Sequence, residues 1–331
     1  MRHPAEWEPH ERTIMGWPCR LELWGETIER ARAAYAAVAN AIAEFEPVTM
    51  IANPGADTRQ ARALCGPGVE VITLPINDSW LRDSGPIYVV DDSDRTRTAV
   101  HFRFNAWGEK FAPWELDEAI GGLIAAWLDD VVVEAPFVLE GGSVIANGSD
   151  TILTTEQCLL NPNRNPALTL TDIETMLHRY LGATTVVWLG QGLVEDRDTD
   201  GHIDLIAAFT DSKRALLQTV PESNPNYRNC QENLVRLRGA GISVVEMPYL
   251  PYVEVAGEMV AASYMNLYIC NGAVIVPVTG AETDTDALAI IGAEFAHREV
   301  VEVPGAVLAY GGGGPHCITQ QVPIRPQGPR V

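Results

Sequence analysis

No stretch of this chain approaches the ~18 uninterrupted apolar residues that a membrane-spanning helix requires. The opening residues, MRHPAEWEPHER, also lack the apolar run of a signal peptide, so the cytoplasm is the expected compartment. Basic residues are scarce: Lys+Arg 23 against Asp+Glu 44 gives a formal net charge of −21. So acidic a surface repels nucleic-acid phosphate and lipid of anionic type, and it favours cationic substrates, although the same charge also serves plain solubility. The six cysteines, at 19, 65, 158, 230, 270 and 317, form no C-x-x-C pair. His and Cys never pair at zinc-ligand spacing either, so neither a disulfide framework nor a structural zinc site is expected. Any Pro/Gly/Ser-rich linker is missing too, although 331 residues would by length suggest about two domains.

What is present is an alternation of helix-period and strand-like segments. Ile28, Ala31, Tyr35, Val38, Ile42 and Phe45 recur at three- and four-residue steps, as do Ile120, Leu123, Ile124 and Trp127. A third helix is predicted to start at Thr171, where Thr171 and Glu174 fit a capping box. Asn233–Arg238 ends against Gly239, and Ala287, Leu288, Ile291 and Phe295 make a fifth stripe. Between them lie VTMIA, VEVITL, PIYVV, VHFRF, SVIA, TILTT, TVVWL, ALLQTV, ISVVEM, AVIVPV and REVVEV, all of strand type. The fold class is α/β.

Five polar-to-strand junctions punctuate this order: WLRDSGPIYVV, FVLEGGSVIAN, DTDGHIDLIAAF, ASYMNLYICNG and GGGPHCITQQV. Asp83, Glu140, His202, Asn266 and Cys317 mark them at gaps of 57, 62, 64 and 51 residues. Such spacing suggests five copies of one small αβ unit around an axis, each delivering a polar junction to a shared centre. That would make one domain of the whole chain, with a loose tail from about Arg325. Other motifs drop out. Asp196, Asp198, Asp200 and Gly201 imitate a calcium loop, but its twelfth position holds Ala207 instead of Glu. GGGG at 311–314 has no following Lys-Ser/Thr, so it is no phosphate loop.

The junction residues suit one chemistry. A guanidinium carbon is flattened by resonance and shielded by positive charge, so water attacks it poorly. Carboxylates can hold the cation through charge-assisted hydrogen bonds. A thiolate can attack to form a covalent intermediate, and a histidine can protonate departing ammonia and then activate water. Asp83, Glu140, Asp204, His202 and Cys317 supply that set. His202 and Asp204 stand two apart on an expected strand, hence on one side of it. Cys317 follows glycines that permit close approach, and its thiolate would be favoured by a nearby cation, either substrate or protonated His202. Taken singly each residue has another reading: Asp83 beside Arg82 could be an ion pair, Glu140-Gly-Gly a turn, Asp204 a solvated strand residue.

From PAEWEPHERT through FRFNAWG, LEGGS, TTEQCLLNPNRNP, DTDGHID and ASYMNLYICNG to HCITQQVP, the chain resembles the agmatine deiminase family. This family stands among the guanidine-modifying enzymes, with arginine deiminases and bacterial peptidylarginine deiminases. The resemblance implies a five-bladed α/β propeller, the pentein fold, and no metal or organic cofactor. It implies that Cys317 attacks the guanidinium carbon and expels ammonia, and that water then hydrolyses the amidino-cysteine to a ureido product. Asp83 and Asp204 would bind the guanidinium nitrogens, Glu140 would bind it and orient His202, and His202 would be acid and base.

Departures from the family pattern at Leu205, Gly314 and Pro315 bear on pocket shape, Pro315 by fixing a backbone dihedral two residues before the nucleophile. Trp80, Asn105 and Trp107 are candidate pocket walls. Glu195, Asp196 and Asp198 could attract a distal ammonium, as on agmatine, whereas Arg103 could receive a carboxylate, as on a C-terminal arginine. Hydrolysis of agmatine therefore stands beside peptidylarginine deimination, amidino transfer and mere guanidinium binding. A homodimer is the default assembly.

Overall fold

A computed structural model describes residues 1–326. The expected loose tail falls mostly on 327–331, outside the described residues. Arg325 itself is held, donating from Nη2 to the Leu128 and Asp129 carbonyls at 3.2 Å.

One strand pattern occurs five times. Ile87–Asp91 pairs antiparallel with Thr96–Arg103, which pairs parallel with Val131–Val138. Ile145–Ala146, Thr151–Thr155 and Thr185–Leu189 repeat it, as do Ala207–Asp211, Arg214–Gln218 and Ser243–Met247. Tyr268–Cys270, Ala273–Val278 and Glu299–Pro304 repeat it again. In the remaining sheet the two ends of the chain meet: Thr319–Pro323 pairs antiparallel with His10–Gly16, which runs parallel to Val48–Ala52, itself parallel to Val69–Thr73. A parallel neighbour requires a crossover, and each is supplied by a helix. These helices are Ile28–Ala43, Glu115–Trp127, Leu170–Leu181, Tyr227–Gly239 and Asp284–Glu294, in addition to Ala56–Leu64 within the sheet of chain ends. A separate hairpin joins Tyr252–Val255 to Glu258–Ala261. No helix among the described residues is long and apolar enough to cross a membrane.

Local sequence explains these elements. Strands covered on both faces read as continuous apolar runs: all of VTMIA at 48–52 is buried, and so is AVIVP at 273–277. On Ile28–Ala43 the buried residues are Ala31, Ala34, Tyr35, Ala36, Val38, Ala39 and Ile42, whose small alanines let the helix lie close on its sheet. The third helix begins earlier than its pattern suggests. Thr169, not Thr171, caps it, in a reciprocal box with Asp172, and Gly182 at φ 74° ends it. Likewise Gly239 is the last residue of its helix, and Ala240 caps it.

The five polar junctions acquire a common position. Asp83, Glu140, His202, Asn266 and Cys317 each lie a few residues before the first strand of one of the five sheets. Side chains separated by some sixty residues in sequence therefore start equivalent strands, and they converge.

Candidate active site

Gly142 locates the convergence. A Cβ built on it would meet His202 Nδ1 at 2.6 Å, Asp83 Oδ1 at 2.8 Å and Asp204 Oδ2 at 3.0 Å. Only glycine fits between the three, which explains the second glycine of LEGGS. His202 Nδ1 lies 3.8 Å from Asp83 Oδ1 and 4.0 Å from Asp204 Oδ1. All three residues are buried. His202 and Asp204 do not share a strand, as their spacing suggested. Residues Ile203–Leu205 form a 3₁₀ turn with His202 at its N-cap, and Asp196 Oδ2 anchors the turn by accepting from the backbone N–H of Gly201 and His202.

Cys317 joins them from the chain end. Its Sγ lies 3.3 Å from Asp204 Oδ2 and 3.1 Å from Asn266 Nδ2, while its N–H donates to Asn266 Oδ1 at 3.2 Å. The preceding glycines permit this packing: a Cβ on Gly313 would strike Cys317 and Trp80, and one on Gly314 would come within 2.7 Å of Asn266 Oδ1. Burial, then the charges of Asp204 and Asp83, push the thiol well above its ordinary range, so the resting group is protonated. Burial likewise raises Asp83 to about 6, although His202 opposes the shift. Asp204 moves the other way. Burial would raise it, but the hydrogen bond and charge of His316 lower it below 3.8.

Glu140 is fully buried and held by Arg164, whose Nε donates to Oε1 and whose other nitrogens reach Asp200 Oδ2 and the Thr199 carbonyl. No hydrogen bond joins Glu140 to His202. Four buried polar atoms at this centre have no partner among the described residues: Glu140 Oε2, Asp204 Oδ1 and both His202 ring nitrogens. A buried unpaired polar group costs about 1–3 kcal/mol. Such a cluster is the signature of a site built for a polar ligand.

Beside it lies a cavity of about 360 Å³, lined by Asp83, Cys317, Trp80, Trp107, Phe111 and Asp198 among others. Trp107 is aimed by a costly backbone: Ala106, Trp107, Gly108 and Glu109 all have positive φ, a left-handed turn that L-residues avoid. The result is a hydrogen bond from Trp107 Nε1 to Asp83 Oδ2 at 2.9 Å. Asn105 is not a wall of this cavity. It caps the left-handed turn, accepting from Gly108 N and donating to the Asn163 carbonyl. Glu195 and Asp196 are also absent from the lining, since Glu195 accepts from Tyr252 and Asn226 and Asp196 serves the His202 turn. Arg103 pairs with Glu118 at the exposed surface and cannot receive a substrate carboxylate here. Leu205 and Gly314 abut neighbouring structure, Leu205 accepting from Ser263 through its carbonyl.

Sequence reasoning passed over Arg164, His316 and the role of Asn266. Arg164 sits in NPNRNP, whose turn formers announce a loop without revealing which carboxylate the guanidinium meets. His316, next to Cys317, donates from Nδ1 to Asp204 Oδ2 at 2.8 Å, with Glu6 Oε1 3.3 Å from its other nitrogen.

Known proteins are similar to this chain in sequence and fold. The family model for Porphyromonas-type peptidyl-arginine deiminase matches residues 2–323. A putative agmatine deiminase of Legionella pneumophila is 42% identical, covering 97% of this chain and 94% of its own. Agmatine deiminase of Enterococcus faecalis superimposes with a TM-score of 0.93 at 32% identity, over 98% of this chain and 96% of that one. Substrate-bound C. jejuni agmatine deiminase gives 0.90 at 29% identity, over 97% and 96%. On these matches, the chain belongs to the agmatine deiminase family, within reach of the Porphyromonas-type peptidyl-arginine deiminase model over almost its full length.

Proposed function

We propose that this protein hydrolyses agmatine to N-carbamoylputrescine and ammonia. The observation carrying this reading is the lining of the 360 Å³ cavity, which holds carboxylates and aromatic rings but, among the described residues, no Lys, Arg or His. It suits a substrate cationic at both ends and gives a substrate carboxylate no partner. Tryptophan faces flank an alkyl chain and attract cations. Asp198 is raised by burial, then by the charge of Asp196, a shift that a distal ammonium would reverse.

The guanidinium seats against Asp83, Asp204 and Glu140 Oε2. Its positive charge offsets the aspartates that hold the Cys317 proton in place, so substrate itself promotes the thiolate. The thiol proton passes to His202. Sulfur attacks the guanidinium carbon, His202 protonates the departing nitrogen, and ammonia leaves an amidino-cysteine. His202 then takes a proton from water, whose oxygen attacks the same carbon. The C–S bond breaks, thiolate departs, and the ureido product forms. Asn266 and the Gly313–Gly314 backbone position the sulfur. The five-fold strand pattern, with the chain ends paired in one sheet, supports a single five-bladed α/β propeller around this centre.

Cys317→Ser is expected to abolish ureido product while calorimetry still detects agmatine binding. Unchanged turnover would overturn the mechanism. In a panel of agmatine, arginine, guanidinobutyrate and arginyl peptides, agmatine is expected to give the highest kcat/KM. A preference for any carboxylate-bearing member would overturn the substrate assignment, and dependence on an added amine would make the enzyme an amidinotransferase.

A further inference from the structure

Close to Glu140 and His202 stands a thiol that the proposed chemistry leaves idle. Cys158 is fully buried on the short helix Glu156–Leu159, whose start Thr155 caps by accepting from Cys158 N. Unlike Cys19, Cys270 and Cys317, it donates to nothing among the described residues. One ligand atom each from Glu140, Cys158 and His202 lies within 4.8 Å of the other two. Two of these residues carry the partnerless atoms: Glu140 Oε2, and both ring nitrogens of His202, with each side chain fully buried.

We infer that Glu140, Cys158 and His202 form a reversible, inhibitory site for a thiophilic divalent cation such as Zn²⁺. Carboxylate, thiolate and imidazole are the donor types that zinc selects, at bonds of ~2.0–2.3 Å. A tetrahedral set of such bonds places its ligands about 3.5 Å apart, so side-chain rotation of roughly 1 Å closes the site. Three protein ligands leave one position open, as in exchangeable sites and unlike the four of structural ones. Charge balances as well: cysteinate and glutamate neutralise the ion, and Arg164 keeps its bond to Oε1 of Glu140. On binding, the Cys158 thiol loses its proton to solvent and an S–metal bond forms, with no change of oxidation state. The apolar packing around Cys158, with Leu159, Ile173 and Leu177, excludes competing water. A metal held here engages the imidazole that the proposed mechanism needs, so substrate and ion exclude one another. That last step rests on the proposed function, whereas the site itself does not.

The test uses full-length protein stripped with chelator and titrated with Co²⁺ alone, following the thiolate-to-cobalt charge-transfer absorption. Wild type and Cys317→Ser are expected to bind one Co²⁺ with this band. Cys158→Ser is expected to lose it and to bind more weakly by over about 100-fold, beyond what loss of a merely supporting contact costs. A band that disappears in Cys317→Ser, or survives in Cys158→Ser, overturns the site; the first variant decides even if the second misfolds. Zn²⁺ should inhibit wild-type turnover, with EDTA restoring it. Agmatine should weaken Co²⁺ binding. If the band tracks Cys158 but agmatine does not compete, the metal site stands and the placement of guanidinium beside His202 fails.

Discussion

Asp83 and Asp204 face the same imidazole nitrogen at 3.8 and 4.0 Å and are about equally buried, yet burial drives one up to about 6 while the other is held below 3.8. The difference lies in what stands behind each. Asp83 receives two neutral donors, Gly142 N–H and Trp107 Nε1–H, both at 2.9 Å. Asp204 backs onto His316, whose own pKa is raised: burial and then Arg82 lower it, but Glu6 and Asp204 together prevail. Neutral dipoles leave a buried carboxylate short of compensation, whereas a buried imidazolium supplies it. One side of the site is therefore strained toward a cationic ligand, whereas the other already has a protein counter-charge on Oδ2 and leaves only Oδ1 unpaired.

Removing the compensated charge should do the most damage. Asp204→Asn removes the nearer of the two carboxylates that face the His316 imidazolium and the negative charge beside the Cys317 thiol, and breaking a buried pair costs about 3–5 kcal/mol. A fall in kcat/KM of roughly 10³-fold and a clear drop in melting temperature at pH 7 are expected. Asp83→Asn should lose activity by about 10²-fold, the worth of a charge-assisted bond to the guanidinium, but should melt no lower than wild type at pH 7. The pH dependences have opposite signs. Asp83 has a raised folded-state pKa, so its contribution to stability is fully present below 3.8 and is lost as pH rises to about 6. Asp204 has a depressed one, so its contribution is present above 3.8 and is lost as pH falls below that value. Melting curves of both variants between pH 3 and 7 check this. If Asp83→Asn destabilises at pH 7 as much as Asp204→Asn, the two sides do not differ.

The contrast was half legible in the residues. Asp83 and Glu140 announced themselves by interrupting apolar strand entries at a regular interval, and Asp204 stood two residues beyond the next such marker, His202. Equal residue types conceal unequal surroundings, however, and Glu6 meets His316 from 310 positions away in sequence. The pairing of His10–Gly16 with Thr319–Pro323 was hidden for the same reason: non-local registry leaves no local pattern. Ambiguity was the obstacle at the third helix, where Thr169 and Thr171 each have an acid three residues on and backbone geometry alone chooses between them. His202 and Asp204 were brought together correctly through a mistaken strand, since a 3₁₀ turn also keeps near neighbours close. Asn105 and Trp107 shared a motif and were read as two walls; the left-handed turn makes Asn105 the support and Trp107 the wall.

The smallest expected effect is the sharpest test of the far side, because Glu6 touches no proposed substrate atom. Its Oε1 accepts from Arg82 Nη2 at 3.1 Å and faces His316 Nε2 at 3.3 Å. The charged groups facing His316 are thus Glu6, Asp204 and Arg82, with the Cys317 thiol adjacent in the chain. Glu6→Gln keeps an acceptor and the side chain's shape while removing one negative charge. Arg82 then opposes the imidazolium with less to balance it, His316 loses protons more readily, and Asp204 is held down less firmly. The acid limb of the kcat/KM profile should move to higher pH, and kcat/KM at pH 7 should fall about threefold to tenfold, the range of one hydrogen bond between charged partners attenuated through a neighbour. The loss should appear in KM more than in kcat, since in the proposed mechanism Asp204 binds the guanidinium before chemistry begins. A purely structural role for Glu6 would lower the melting temperature and leave the limb where it was, and in that outcome His316 holds Asp204 down without help from the N-terminal segment.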